Sequence, residues 1–394
     1  MEVYFDNSAT TRPYDEVIDE MVRVMKDDYG NPSSLHNKGL DAEHVIDDAK
    51  KSICGALKCL PEEIIFTSGG TESNNMAIIG SALAKRRSGK HIVVSSVEHA
   101  SVSAVMQFLI REGYEVSYVP SDSRGIVTAE AFADAVREDT ILVSCMHINN
   151  EIGSVMPVEE IGRAVRAKNK DVYFHVDAIQ SFGKVPVIPK TIGADLVSVS
   201  GHKIHGPKGS GFLYMRKGLL LRPILYGGGQ QKNMRSGTEN VPAIAGLGVA
   251  VTKTFEGFEE KIAYIRSLRD RLIEGVTAID GVYCNSVFAG DSSDGSFAND
   301  LAAPHIASIS FTGVRAEVML HALEDKGIYV SSGSACSSNK SKESAVLTAI
   351  GLDKARLEST LRFSFAEENT MEEVEYAVGV IRELLPVLRH YVRG

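Results

Sequence analysis

The 394-residue sequence has no long hydrophobic run, no excess of positive charge and few cysteines. No apolar run approaches the roughly 18 residues of a membrane span, and Met1–Asp6 lacks the basic and hydrophobic regions of a signal peptide. With 42 lysines and arginines against 51 aspartates and glutamates, the net charge of −9 argues against a nucleic-acid or anionic-membrane binder. Five cysteines fit a reducing compartment without a disulfide framework, so we expect a cytoplasmic protein.

Two ligand-binding motifs are absent as well. Cys54 and Cys59 have no histidine close enough in sequence to complete a zinc pattern, so we interpret both as structural and expect no metal site. No G-x-G-x-x-G motif follows the first predicted strand of the main sheet, which argues against a nucleotide-binding Rossmann protein.

Strand-like and helical segments alternate between residues 63 and 215. The strand-like runs are 64–68, 91–96, 115–120, 140–146, 172–176, 195–200 and 211–215. Most are continuous apolar runs, which are typical of strands covered on both faces. The alternation predicts an α/β fold with a mostly parallel, doubly wound seven-stranded sheet and helices on both faces. In such a sheet the ligand binds at the carboxyl ends of the strands.

A second, smaller domain is predicted because 394 residues exceed the usual size of one domain. Its strand-like runs are 307–311, 328–331 and 360–365, and its helical patterns are 315–326 and 371–390. Thr370 is the expected cap of the last helix. We expect residues 16–255 to form the large domain, and residues 1–15 together with 256–394 to form a small α+β domain.

Lys203 stands just beyond the strand-like run 195–200 and before the Gly-rich stretch Ile204–Gly211. A lysine at the end of a buried strand is partly desolvated, which lowers its pKa and favours the neutral amine. A neutral amine can form a Schiff base with a carbonyl cofactor. Ser200 and His202 can donate hydrogen bonds to a phosphate beside it. Alone, Lys203 would prove little, since most lysines are solvated surface charges.

Other strand ends carry polar residues of complementary chemistry. Thr67–Ser73 begins a helix with small residues whose N–H groups can hold an anion, although such turns are also common structural devices. Asp177 can keep a pyridinium nitrogen protonated or cap a helix. His99 can face a cofactor or be a solvated or core histidine, and Asn149–Gly153 can belong to the site or form an Asx turn. Together with Lys203, these groups describe a pyridoxal phosphate site.

The smaller domain adds two reactive side chains. Cys336 lies in Val330–Ser338, a stretch of small polar residues that is unusual for a structural cysteine, so we favour a nucleophile. Arg362 places a guanidinium on an apolar strand, where it needs a substrate carboxylate or an internal ion pair. Gly227–Gly229 and Arg235–Asn240 are rich in glycine and in hydrogen-bond donors. They can form a loop that closes over a phosphate, in this subunit or in a neighbouring one, or a simple interdomain turn.

The motifs of the whole chain resemble one known family. In order they are Asp6–Thr11, Gly30–Ser34, Thr67–Ser73, Glu98–His99, Asn149–Gly153, His175–Asp177, Ser200–Gly209, Arg235–Thr238 and Ser331–Cys336. This set resembles the cysteine desulfurases of the NifS/IscS type, a branch of the class V aminotransferase family of fold-type I pyridoxal-phosphate enzymes. The resemblance covers almost the whole chain.

The resemblance implies a role for each motif. Lys203 would be the Schiff-base lysine, Asp177 the partner of the pyridine nitrogen, and His99 the residue that stacks on the ring and assists proton transfer. The other implied cofactor contacts are Gly70, Thr71, Ser200 and His202 at the phosphate, Thr238 at the phosphate from across a dimer interface, and Asn150 and Gln180 near the phenolic oxygen. Arg362, with Asn150, would bind the substrate, and Cys336 would attack its sulfur.

The implied reaction converts L-cysteine to L-alanine in a homodimer. The sulfur would pass to Cys336 as a persulfide, and then to an acceptor protein in iron–sulfur cluster or thio-cofactor assembly. A selenocysteine lyase or a class V aminotransferase would also keep Lys203 and Asp177, but the aminotransferase would not need Cys336. A non-catalytic sulfur carrier would need no cofactor. We expect no nucleic-acid or membrane partner.

Overall fold

The computed structural model describes residues 1–287, 301–332 and 344–392. Its strands are β1 (Val3–Tyr4), β2 (Ile64–Thr67), β3 (His91–Ser95), β4 (Glu115–Val119), β5 (Thr140–Met146), β6 (Tyr173–Asp177), β7 (Leu196–Ser200), β8 (Gly211–Met215), β9 (Val282–Cys284), β10 (Ile306–Phe311), β11 (Ile328–Tyr329) and β12 (Thr360–Ser364). Its helices are α1 (Asp15–Asp27), α2 (Asn37–Leu57), α3 (Gly70–Lys85), α4 (Ala100–Arg111), α5 (Ala129–Ala135), α6 (Val158–Lys168), α7 (Pro189–Ile192), α8 (Val241–Phe255), α9 (Phe258–Thr277), α10 (Ala316–Glu324), α11 (Ala345–Ala349), α12 (Lys354–Leu357) and α13 (Met371–Val392).

The main sheet contains the seven predicted strands in the order β2-β8-β7-β6-β5-β3-β4. Neighbours among β3 to β7 pair in parallel, and β8 is antiparallel to both β7 and β2. The prediction of a mostly parallel seven-stranded sheet is confirmed, and each strand end lies within one residue of its predicted position. Asp177 and Ser200 are the last residues of β6 and β7.

Both faces of this sheet are buried because alternate side chains enter different cores. Val143 and Val197 belong to one core, whereas Leu142 and Leu196, one position earlier in each strand, pack into others. Successive side chains of a strand point to opposite faces. A strand that is covered on both sides therefore needs an unbroken apolar run, as the sequence has.

A second unit combines an antiparallel sheet of order β12-β10-β9 with the parallel pair β1-β11. Phe5, Phe311 and Phe363 share its core with side chains of α9 and α13. The hydroxyl of Thr370 accepts a hydrogen bond from the N–H of Glu373 at 3.2 Å, which confirms the predicted cap of α13. The predicted domain boundaries at residues 16 and 256 remain a prediction.

Cys54 and Cys59 lie around the end of α2 with their sulfur atoms 3.7 Å apart. Burial raises the pKa of both thiols, so both stay protonated, as a structural role requires. Within the described ranges, no three His, Cys, Asp or Glu side chains are grouped as metal ligands. None of the described helices is both long and apolar enough to cross a membrane.

Candidate active site

A cavity of about 390 Å³ lies at the carboxyl ends of the central parallel strands. Ten predicted site residues line it: Gly70, Thr71, His99, Asn150, Asp177, Gln180, Ser200, His202, Lys203 and Arg362. Asp6 and Ser8, which follow β1, and Ser331, which follows β11, also line it. The strand ends therefore converge as the parallel topology predicted.

Asp177 is 3% exposed and is held by two hydrogen-bond donors. The N–H of Ile179 donates to Oδ1 at 3.0 Å, and the amide of Asn74 donates to Oδ2 at 2.8 Å. Burial raises the pKa of this carboxyl, and the two donors and the neighbouring basic groups oppose that rise. A positively charged ligand such as a pyridinium N–H would stabilise the buried carboxylate.

His99 caps the start of α4. The N–H of Ser101 donates to Nδ1 of His99 at 3.1 Å, so the neutral ring carries its hydrogen on Nε2. Burial lowers the pKa of His99, which favours the neutral ring. Oγ of Ser101 also accepts a 2.8 Å hydrogen bond from Asn74. Asn74 thus connects His99 to Asp177 through one hydroxyl.

Two glycines form the start of α3 and leave room for an anion. Gly69 has φ of 144°, a conformation that favours glycine. A Cβ at Gly70 would lie 2.2 Å from Cδ1 of Ile179, so no side chain fits there without displacement. The N–H groups and dipole of a helix start favour an anion. Ser200 and His202 border the same space, and burial lowers the pKa of His202 to about 4.

Lys203 is half-buried in a 3-10 turn directly after β7. Its Nζ donates to the main-chain oxygens of Ser8 at 2.5 Å and Ala9 at 2.9 Å. The alternative of a solvated surface charge is wrong, because two carbonyl groups hold the amine at the cavity wall.

Arg362 is 5% exposed and forms an internal ion pair, which was one of the two alternatives that the sequence left open. One terminal nitrogen donates to Asp6 at 2.9 Å, and the other donates to the main-chain oxygen of Asn150 at 2.8 Å. Its Nε is buried and has no hydrogen-bond partner among the described residues. An unpaired buried donor carries a desolvation cost, which a substrate carboxylate at this edge of the guanidinium would remove.

Gln180 and Asn149 have partners within the protein. Nε2 of Gln180 donates to the main-chain oxygen of Ser8 at 3.0 Å, and its Oε1 lies 3.4 Å from Nε2 of His305. Oδ1 of Asn149 accepts from the N–H groups two and three residues later. This is the Asx turn that the sequence offered as an alternative, and it brings Asn150 to the cavity.

Glu98 has a buried carboxyl, although the residue as a whole is only half-buried. Its Oε1 accepts from Oγ of Ser95 at 2.6 Å and from the N–H of Met146 at 2.8 Å. Its Oε2 has no hydrogen-bond partner within the described chain. Burial, assisted by the charge of Asp177, raises the pKa of Glu98 to about 8. Glu98 is therefore mostly the neutral acid at neutral pH.

Cys336 lies outside the described residues, so its predicted role as the nucleophile stays a prediction. The described chain before it lines the cavity, and the described chain after it contacts Glu151, the neighbour of Asn150. Ser331 lines the cavity, and its N–H and carbonyl pair with the main chain of Arg362 at 3.1 and 2.7 Å. On the other side, the hydroxyl of Ser344 donates to the carboxylate of Glu151.

Thr238 is exposed and does not line the cavity of its own chain. Arg235, in the same stretch, donates from Nε to Oε1 of Glu72 at 2.8 Å, which joins this stretch to the first turn of α3. The predicted contact of Thr238 with phosphate across a dimer interface remains a prediction.

Sequence reasoning missed Asn74, Ser101 and the buried carboxyl of Glu98. Asn74 and Ser101 stand in the first turns of helices that follow functional strand ends. A polar residue on the inner side of such a turn is the signal that could have found them.

Comparisons with known proteins agree with this geometry. The family model of Aminotransferase class-V matches residues 3–377. Cysteine desulfurase IscS of Methanosarcina thermophila is 43% identical, over 98% of this chain and 93% of that protein. A solved NifS-like protein is 38% identical with a TM-score of 0.90, over 98% of this chain and 100% of the other. The structure of SspA in complex with cysteine is 33% identical with a TM-score of 0.79, over 93% of this chain and 100% of the other.

The seven-stranded sheet and its strand-end cavity define a fold-type I enzyme architecture. The chain belongs to the class V aminotransferase family and, within it, to the cysteine desulfurases of the NifS/IscS type. Enzymes of this family depend on pyridoxal phosphate.

Proposed function

We propose that this protein is a pyridoxal-phosphate-dependent cysteine desulfurase. L-cysteine and the thiol of Cys336 give L-alanine and a Cys336 persulfide, so a carbon–sulfur bond breaks, a sulfur–sulfur bond forms and no external oxidant is needed. The observation that carries the proposal is one cavity lined by Lys203, Asp177 and Arg362, whose wall includes Ser331, five residues before Cys336. The structure of SspA with cysteine supports L-cysteine as the substrate.

The residues present fit pyridoxal phosphate. The glycine start of α3 suits the phosphate, which would bind Gly70, Thr71, Ser200 and His202. Asp177 would pair with the ring nitrogen, His99 would lie against the ring, and Asn150 and Gln180 would stand near its phenolic oxygen. When bound, the cofactor supplies an electron sink for the pair released at the substrate Cα.

Each polar group then has a task in moving or holding a proton. Lys203, oriented by two carbonyl groups, takes the Cα proton of the substrate and returns it. His99 carries a hydrogen on Nε2 because Ser101 occupies Nδ1, so Nε2 is the atom available for proton transfer. Arg362 binds the substrate carboxylate through its unpaired Nε.

The α1 region supports a homodimer. Ile18, Val22 and Met25 stand on one face of α1 and are 42–56% exposed, and Tyr29 just beyond it is 70% exposed. Exposed apolar side chains grouped on one helix face are typical of an interface, and most homo-oligomers are twofold dimers. In such a dimer, Thr238 of one protomer would complete the phosphate site of the other.

The persulfide needs a thiol acceptor. Cys54, Cys59 and Cys145 form no disulfide bond, which fits a reducing compartment. We therefore propose a cytoplasmic location, with transfer of sulfur to a protein that serves iron–sulfur cluster or thio-cofactor assembly.

Mass spectrometry of the cofactor-loaded protein after exposure to L-cysteine tests the proposal. We expect one added sulfur on Cys336, and stoichiometric L-alanine and sulfide once a dithiol reductant is present. A keto acid product would indicate an aminotransferase, and turnover restricted to L-selenocysteine would indicate a selenocysteine lyase. Protein that stays colourless with pyridoxal phosphate and forms no alanine would contradict the enzymatic function altogether.

A further inference from the structure

His205, two residues after Lys203, has the left-handed backbone conformation φ 60°. Few residues other than glycine adopt it without strain, so surrounding contacts must maintain it. The N–H of His205 donates to the hydroxyl of Thr11 at 2.7 Å, and its carbonyl accepts from the N–H of Tyr14 at 3.2 Å. The N–H of Thr11 also donates to the carbonyl of His202 at 2.9 Å. The lysine loop is thus joined along its length to the N-terminal segment.

The side chain of His205 makes a second set of contacts and is 1% exposed. Nδ1 lies 2.9 Å from the main-chain oxygen of Arg12 and 3.1 Å from Oε1 of Glu368. Both neighbours are acceptors, so Nδ1 carries a hydrogen. The imidazole stacks on the ring of Tyr14 with centroids 4.4 Å apart. Tyr14 in turn donates to Glu367 at 2.8 Å.

The same N-terminal segment reaches both reacting ends of the cavity. The carbonyls of Ser8 and Ala9 accept from Nζ of Lys203. Asp6 pairs with Arg362, which holds no other carboxylate in the described structure. His205 therefore fixes one end of a segment whose other end sets the places of the lysine and the arginine.

We propose that His205 is a positioning residue: by clamping the segment Asp6–Tyr14 between the lysine loop and Glu368, it holds Lys203 in place relative to Arg362. The inference rests on the proposed function for the role of Lys203. The clamp itself is a property of the protein without cofactor. A purely structural residue would stabilise the fold as a whole, whereas this clamp controls one segment.

Two variants separate the clamp from the backbone strain. His205→Gly accepts φ 60° without strain and removes the ring, whereas His205→Asn tolerates this conformation and keeps a side-chain donor.

Glu368→Ala removes the acceptor from the exposed side of the same contact and leaves the buried ring in place, so it should fold even if His205→Gly does not. Glu372→Ala, an exposed carboxylate in the first turn of α13, is the matched control.

Hydrogen–deuterium exchange of the apoprotein measures the clamp directly. We expect peptides covering residues 8–14 to exchange at least tenfold faster in His205→Gly and severalfold faster in Glu368→Ala. Peptides of β5 should be unchanged in both variants, and Glu372→Ala should match the wild type throughout. Uniformly faster exchange over the whole chain, or no change at residues 8–14, would overturn the proposal.

Steady-state kinetics of the loaded enzyme test the consequence for Lys203. We expect kcat for L-cysteine to fall about tenfold in His205→Gly while KM changes less than threefold, and His205→Asn to recover part of the loss. Faster exchange at residues 8–14 with an unchanged kcat would overturn the positioning role. A wild-type protein with no desulfurase activity would instead contradict the proposed function, and the exchange result would still decide whether the clamp exists.

Discussion

The amide nitrogen of Asn74 lies 2.8 Å from Oδ2 of Asp177, the buried carboxylate at the end of β6. The same nitrogen lies 2.8 Å from Oγ of Ser101, which contacts Nδ1 of His99. One amide on α3 therefore sets the orientation of both groups that would face the cofactor ring. A donor that fixes a buried carboxylate in this way also satisfies one of its oxygens, which would otherwise carry a desolvation cost.

Asn74→Ala should weaken cofactor binding. The substitution leaves Oδ2 of Asp177 without its donor, and an unsatisfied buried group costs about 1–3 kcal/mol, which corresponds to about 5- to 150-fold in affinity. Absorbance titration of the apoprotein with pyridoxal phosphate measures the dissociation constant. Asn75→Ala, at a half-buried position on the same helix, is the control and should bind normally. Equal affinity for wild type and Asn74→Ala would show that Asn74 does not position Asp177.

Arg362→Lys should raise KM for L-cysteine. Lysine keeps the positive charge but has one nitrogen in place of the three that the guanidinium holds in a plane. It therefore cannot contact Asp6, Asn150 and the substrate at the same time. We expect an increase of about 10- to 150-fold, from the loss of one charge-assisted hydrogen bond of about 1.5–3 kcal/mol. Initial rates across a range of L-cysteine concentrations measure KM and kcat separately. The control Arg271→Lys changes an exposed ion pair and should leave both constants unaltered; a KM within twofold of wild type in Arg362→Lys would remove the arginine from substrate binding.

Glu98→Gln should make the apoprotein more stable than wild type at alkaline pH. The folded pKa of Glu98, about 8, exceeds the ordinary value of 4.5, so folding favours the neutral acid. The stability that the neutral acid contributes is complete below about pH 4.5 and is lost as the pH rises through 8. Glutamine mimics the neutral acid, and the difference in unfolding free energy should therefore grow from pH 4.5 to 8, to the order of a few kcal/mol, and then level off.

Urea unfolding of both proteins between pH 5 and 9 checks this expectation. Asp177 on β6 and Cys145 on β5 are the titratable groups whose charge couples to Glu98, and both are unchanged in the variant. Glu112→Gln, at an exposed position, should follow the wild-type curve. Parallel pH curves for wild type and Glu98→Gln would mean that Glu98 is ionised throughout.

Cys336→Ser should abolish sulfur transfer while leaving the cofactor bound, because a hydroxyl does not form a persulfide. Sulfide release with a dithiol reductant should fall by at least 100-fold, and the visible spectrum with pyridoxal phosphate should match that of the wild type. Cys284→Ser changes a half-buried thiol of β9 and should keep full turnover. Full turnover in Cys336→Ser would contradict the persulfide mechanism.

The sequence predicted most of the site because its chemistry is concentrated at strand ends. Continuous apolar runs marked β5, β6 and β7, and the carboxyl ends of parallel strands meet at one edge, so Asp177 and Lys203 were expected to converge. His205 is the opposite case. Its place after the lysine had no explanation in sequence, and only its contacts with Tyr14 and Glu368 supply one.

Sequence alone determined the strand pattern and the α/β class, and it placed a lysine, a carboxylate and an imidazole at strand ends, because hydrophobic periodicity and strand-end polarity are local signals. The tertiary structure decided which distant groups meet. It brought Ser8 to Lys203 across 195 positions and Asp6 to Arg362 across 356. Such pairings depend on how the N-terminal segment packs between the two sheets, and no local pattern encodes the partner of a carbonyl or of a guanidinium.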